Sequence, residues 1–199
     1  MPRYVDHDAH RRHIATIAAE LVGTRGLDAL TFRGVAEAAG SSTTVLTHYF
    51  ADKRHLLLAT FETVAERIGQ RVTDAEAAGG LPACLEALLP LTPDRLTEWR
   101  LLTCFWGMAV TDPALAGAES AHVQSAQRRI ERLLRERYRK TARRETGLLA
   151  RRLESLVHGI ASHAVLDPEH WPAAVQRDVL HHELASLGLL VPVRTAKRA

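Results

Sequence analysis

Aromatic side chains are scarce in this chain, at 5% of residues, and that scarcity argues against a sheet, because strands draw on aromatic and β-branched residues. Cysteine is scarcer still. Cys84 and Cys104 lack the spacing of a metal site or a disulfide framework, so reduced core thiols are expected, with no metal and no cofactor. Long apolar runs are missing too: Leu101 to Val110 is about half of the roughly 20 residues that span a bilayer. The first residues, MPRYVDHDAHRRH, carry no apolar segment of the kind that directs export. A soluble, cytoplasmic protein without a membrane partner is therefore expected. No HExxH, GxSxG, P-loop or dinucleotide fingerprint occurs, so the eleven histidines and 23 carboxylates have no catalytic frame, and an enzyme is not expected. Nor is there a strong charge bias. The net charge of +3 permits nucleic-acid binding without demanding it.

What is present favours helices. Hydrophobic residues make up 46% of the 199, enough for a packed core, and alanine, leucine, arginine and glutamate dominate, the residues that helices prefer. The fold is expected to be all-α, with about nine helices. Within Thr31 to Phe50, the residues Phe32, Val35, Ala36 and Ala39 recur at i, i+3, i+4 and i+7, an apolar stripe behind an N-cap candidate, Thr31. Gly40 ends that helix. Ser41 and Ser42 can cap a second one, Thr43 to Tyr49, which beyond Val45 and Leu46 is mostly hydroxyls and an imidazole. Two short helices about a glycine turn, the second displaying hydrogen-bonding groups, suit the major groove of DNA.

The run AxxAGxSxxxLxHYFxxKxxLL, Ala36 to Leu57, resembles the DNA-binding signature of TetR-family transcriptional regulators. Ile14, Ile17, Ala18, Leu21 and Val22 before it, the turn Arg25-Gly26-Leu27, and Lys53 with Leu56 and Leu57 stand where such regulators have their counterparts. A weaker similarity, around Trp99 to Trp106, Asp112-Pro113 and the last two helices, points to the branch that includes repressors of betaine biosynthesis. The resemblance implies a sequence-specific DNA-binding regulator, a homodimer released from a palindromic operator by a small-molecule effector. It implies a helix-turn-helix domain over residues 1–51, an effector-binding and dimerisation domain over 52–190, and a flexible tail over 191–199.

Matched onto that motif, Arg33, Thr43, Thr44 and His48 are candidates for base contacts, and Ser42, Thr47, Tyr49 and Lys53 for phosphate. Thr47 stands where the family often has tyrosine, and Thr44 where glycine is common. Tyr49 also suits packing on the first helix. His7, His10 and His13 recur every three residues without a ligating partner, so a solvated face is expected.

Asp52 is expected to open a helix to about residue 77, Pro82 a separate one to about 90, and Thr92-Pro93 a third. Asp112-Pro113 starts another, to about Lys140, and two more follow over about 142–166 and 171–187. The strongly basic stretch Arg128 to Arg152 is threaded by Ile130, Leu133, Leu134 and Tyr138, so its arginines are read as the outer face of an amphipathic helix. By resemblance, Trp99, Thr103, Phe105, Trp106, His158 and Ser162 line the effector pocket; His158 stands where the related branch commonly has aspartate. Leu153, Val157, Ile160 and Ala164, with Val179, Leu180 and Leu184, are the expected dimer seam. Two rival readings are a helical dimer that binds DNA without an effector and a helical enzyme using its histidines and carboxylates.

Overall fold

A computed structural model describes residues 7–137 and 143–190. Eight α-helices occur among them, without a strand: α1 (His7–Arg25), α2 (Phe32–Ala38), α3 (Thr43–Tyr49), α4 (Lys53–Leu88), α5 (Pro93–Ala109), α6 (Pro113–Arg137), α7 (Arg143–Leu166) and α8 (Ala173–Ser186). The starts follow local chemistry. Thr31 Oγ1 accepts from the Gly34 N–H at 2.9 Å, Ser42 Oγ from Val45 at 3.3 Å, Asp52 Oδ1 from His55 at 2.8 Å and Thr92 Oγ1 from Arg95 at 3.3 Å. Each cap satisfies an amide that the first helical turn leaves without a partner. Gly40, at φ 59°, makes the turn between α2 and α3 in a conformation that a side chain would strain.

The expected break between residue 77 and Pro82 is present but narrower: α4 runs from Lys53 to Leu88 as two helical arms that meet at a kink at Gly80 (φ 63°, ψ −148°). Pro82 falls in the first turn beyond that glycine, where its missing N–H costs no hydrogen bond. Counted as two arms, α4 brings the described segments to nine.

A continuous core runs through both ends of the molecule. Helix α1 packs on α4 and on α5; α6 lies on α5 and α7, and α8 covers α7 and α4. Phe61 and Phe105 stack between α4 and α5 at 4.1 Å. Arg71 ties both arms of α4 to α5, donating to the Ala87 carbonyl at 2.9 Å and to Glu98 at 2.8 Å. Glu86 holds α8 through Arg177 at 3.2 Å and His181 at 2.6 Å.

The expected dimer seam is corrected. Leu153, Val157, Ile160, Ala164, Leu180 and Leu184 are buried within the protomer, and Val179 is half-buried. The apolar side of α7 that a second copy was expected to cover is covered instead by the chain's own helices. Four arginines of the basic stretch are paired within the protomer: Arg129 reaches Thr73, Arg132 reaches Glu76 and Glu136, Arg135 pairs with Glu131, and Arg152 with Glu183. Tyr138, Arg139, Lys140 and the tail from residue 191 lie outside the described residues.

Candidate nucleic-acid interface and effector pocket

Helix α3 is anchored by Leu46 and, just past its end, by Phe50, and turns most of its polar side chains outward. Leu46 and Phe50 are buried, while Ser42, Thr43, Thr44, Thr47 and His48 are exposed. Arg33 on α2 and Lys53 at the start of α4 are exposed too. The eight residues expected to meet DNA thus include seven exposed ones, clustered on α2, α3 and the first turn of α4. The Thr47 hydroxyl donates back to the Thr44 carbonyl at 2.9 Å, which leaves its oxygen free to accept.

Tyr49 is the half-buried exception. Its ring lies 5.8 Å from that of His7 and 5.3 Å from that of His10, and its hydroxyl is 3.3 Å from His7 Nδ1. The His48 ring sits edge-on to Tyr49 at 5.3 Å and 5.9 Å from His7. Of the histidine repeat of α1, read from the sequence as a solvated face, His7 and His13 are exposed as expected, while His7 and His10 also lie against the end of α3. The repeat's period of three was the visible signal; only the crossing of α1 and α3 gave it a partner. Asp52, which caps α4, has its carboxyl held below the ordinary range by the His55 amide and ring, so the cap stays ionised beside Lys53.

In the body, two indoles form a corner. The Trp99 and Trp106 rings meet edge to face at 5.8 Å, and the His158 ring lies 5.5 Å from the first and 5.1 Å from the second. The Trp99 N–H donates to the Leu88 carbonyl at 2.7 Å, fixing that ring. A cavity of about 30 Å³ remains between them, also bordered by Glu119, His122 and Glu154. That is the share of one water molecule.

Two carboxylates face this space. Glu154 is buried, 3.2 Å from His158 Nδ1 and 3.4 Å from the Gln127 amide. Glu119 Oε2 and the Trp106 N–H are buried and close no hydrogen bond. Burial pushes the Glu119 carboxyl above its ordinary range, offset in part by the nearby indole and reinforced by Glu154. Burial lowers both His122 and His158, the latter against the pull of Glu154. Both shifts favour the neutral imidazole. A broader recess of about 460 Å³ opens outward from Trp106, Glu119 and His158 past Val110.

Comparison with known proteins now bears on both sites. Residues 14–60 match the bacterial regulatory proteins of the tetR family, and residues 77–189 match the C-terminal part of BetI-type transcriptional repressors. The chain belongs to the TetR family. This TetR-family chain is 29% identical over 173 residues to the HTH-type transcriptional regulator PksA of Bacillus subtilis, covering 84% of each. It is 25% identical over 173 residues to the regulator BetI of Cronobacter sakazakii, covering 83% of this chain and 84% of that one. A transcriptional regulator from Rhodococcus sp. Rha1 shares the fold at a TM-score of 0.82 and 23% identity, over 92% of this chain and 99% of that one. So does one from Saccharomonospora viridis in complex with choline, at 0.81 and 18% identity, over 89% and 96%. The protein is a DNA-binding transcriptional regulator of the repressor type.

Of the six residues expected to line the pocket, Trp99, Trp106 and His158 border the cavity. Three do not. Thr103 donates to the Trp99 carbonyl at 2.9 Å, Phe105 is buried against Phe61, and Ser162 stands further along α7. The residues that sequence reasoning missed are Glu119, His122 and Glu154. A trace of Glu154 was there, as a carboxylate four residues before His158 in the apolar stripe of α7.

Two contacts join this pocket to the reading head. Asp112 caps α6 through Oδ1, which accepts from Ala114 at 2.9 Å, and its other oxygen pairs with Arg54 Nε at 3.1 Å. At the far end of α1, a Cβ on Gly23 would run into the side chain and carbonyl of Thr97 on α5. The helices that carry Trp99, Trp106 and Glu119 therefore bear directly on those that carry the head.

Proposed function

We propose that two copies of this chain bind a palindromic operator in the cytoplasm and are released from it by a small organic cation held between Trp99 and Trp106. One observation carries the reading: two indoles and two carboxylates, one of them with an unpaired oxygen, converge on a single buried cavity. Indole faces attract cations, most strongly where water is excluded, and a carboxylate whose only neighbour in the cavity is the Trp106 indole gains from a positive charge placed beside it. The choline bound by the Saccharomonospora regulator has that character. Here the carboxylates come from Glu119 and Glu154, which removes the need for one at position 158.

A cavity of about 30 Å³ is too small for any such ligand. Binding must displace the His158 ring from against the two indoles and spread α5 and α6 from α7. Because α6 is tied to Arg54 and α5 presses on α1 at Gly23, spreading moves the two heads. Heads out of register no longer fit successive major grooves about 34 Å apart. In the head, Arg33, Thr43, Thr44 and His48 face base edges, and Ser42, Thr47, Tyr49 and Lys53 the phosphates.

The second copy is assigned to the outer side of α7, where Leu148, Ser155, Gly159 and Leu166 are exposed at spacings of seven, four and seven residues. Their regular spacing sets them along one face, and a large exposed leucine at each end supports burial there by a partner. The deciding experiment is a titration of an operator complex, found by protection mapping beside the gene, with choline and related quaternary ammonium ions. Release at concentrations that also quench tryptophan emission supports the reading; an operator complex indifferent to every cation overturns it. The near-closed cavity favours one second reading, constitutive DNA binding, which predicts that indifference together with full operator affinity.

A further inference from the structure

A second cavity, of about 160 Å³, lies behind the same wall. Ile68, Leu88, His122 and Ala126 border both spaces, so one layer of side chains separates them. The larger space is lined mostly by hydrocarbon from both arms of α4 and from α6, chiefly Val72, Leu85, Ile130 and Leu133. Its polar groups are occupied or neutral. The Arg129 guanidinium is turned to the Thr73 hydroxyl at 2.9 Å and toward Glu76. The Cys84 thiol points at the Val72 carbonyl at 3.6 Å, and burial pushes it up to about 11, so it stays un-ionised. An occupant has no free charge to meet there, and a cavity with this lining favours an apolar guest over water.

Gly69 opens onto the same space. A Cβ built on it meets nothing within 4 Å, although glycine within a helix costs about 1 kcal/mol relative to alanine. The helix thus carries an unfavourable residue at the place where a side chain would fill the cavity.

We infer that the effector is an organic cation bearing an unbranched aliphatic arm, its head between Trp99 and Trp106 and its arm passing His122 into the cavity beside Gly69. This rests on the cation reading above and adds the second half of the ligand. At about 30 Å³ per water-sized group, the cavity holds about five, so an arm of about five or six carbons fills it. The His122 ring, edge-on to Phe61 at 5.8 Å, is the partition that the arm must push aside.

The test is a series of n-alkyltrimethylammonium ions, from tetramethylammonium through butyl and hexyl to octyl, titrated calorimetrically into the full-length protein and into Gly69→Leu. In the wild type, affinity should rise about fourfold per methylene, the equivalent of 0.8 kcal/mol, and level off near hexyl. Gly69→Leu should bind tetramethylammonium as the wild type does and lose at least tenfold for hexyl. Gly69→Ala, which adds one carbon, should fall between the two. Affinity that stays flat along the series, or rises equally in Gly69→Leu, overturns the arm while leaving the head in place. Failure of every member to bind, tetramethylammonium included, overturns the cation reading and the arm with it.

Discussion

The reading head and the body pocket are built by opposite means. From Thr31 to Asp52, nearly every role is set within a few residues along the chain: Thr31 caps α2, Gly40 turns, Ser42 caps α3, and Leu46 and Phe50 anchor it. The pocket takes Trp99 and Trp106 from α5, Glu119 and His122 from α6, and Glu154 and His158 from α7, and no two helices alone make it. A surface that reads a regular duplex can be a local motif, because the duplex supplies the long-range order. A site that encloses a small ligand must draw its walls from several elements at once.

That difference predicts which substitutions separate release from binding. The largest effect is expected at the carboxylates: Glu119→Gln with Glu154→Gln should cost about 3 to 5 kcal/mol of cation affinity, because it strips a desolvated charge of its partners. Operator affinity without effector should be unchanged, and calorimetry beside gel shift measures both. A pH series sharpens the point. Only ionised Glu119 attracts a cation, and its carboxyl is raised above 4.5, so cation affinity should fall as pH drops through that raised value. The free protein should show the reverse trend at this group. A raised carboxyl favours the native state below 4.5 and loses that contribution as pH climbs through the raised value, so the wild type should lose stability relative to Glu119→Gln over that interval. Parallel trends in affinity and relative stability would remove Glu119 from the site.

Next in size come the reading residues. Arg33→Ala and His48→Ala should each weaken specific operator binding by about 1 to 3 kcal/mol while cation affinity holds. Equal loss on unrelated DNA would move them from base reading to phosphate positioning. At the junction, Arg54→Ala should cost no more than about 1 kcal/mol of stability, since the pair is partly exposed. Its mark is a protein that still binds cation and operator but needs more cation to let go; unaltered release would leave Gly23 and Thr97 as the coupling contact. The smallest effect belongs to Lys53→Ala, which should lower the slope of log affinity against log salt by about 0.9, with sequence preference intact.

Legibility followed the same divide. The four caps, the glycine turn and the outward face of α3 could be read from residues alone, because each depends on neighbours three or four positions away. Gly80 could be read as part of a break and Pro82 as the start of the arm beyond it, but not that the break is confined to a single glycine. Phe105 and the Leu153 stripe have the right chemistry for a pocket and a dimer seam. They went elsewhere because Phe61 and the protomer's own helices reached them first.

By itself the sequence determined the helices, the turn that sets α3 against α2, and the exposed polar face of α3, since capping, helical period and glycine geometry act over one or two turns. Tertiary structure alone decided that Glu119 faces Trp106, that the histidines of α1 brace Tyr49, and that one wall divides two cavities. Those juxtapositions depend on where separate helices cross, and crossing is fixed by packing of the whole core rather than by any single stretch of residues.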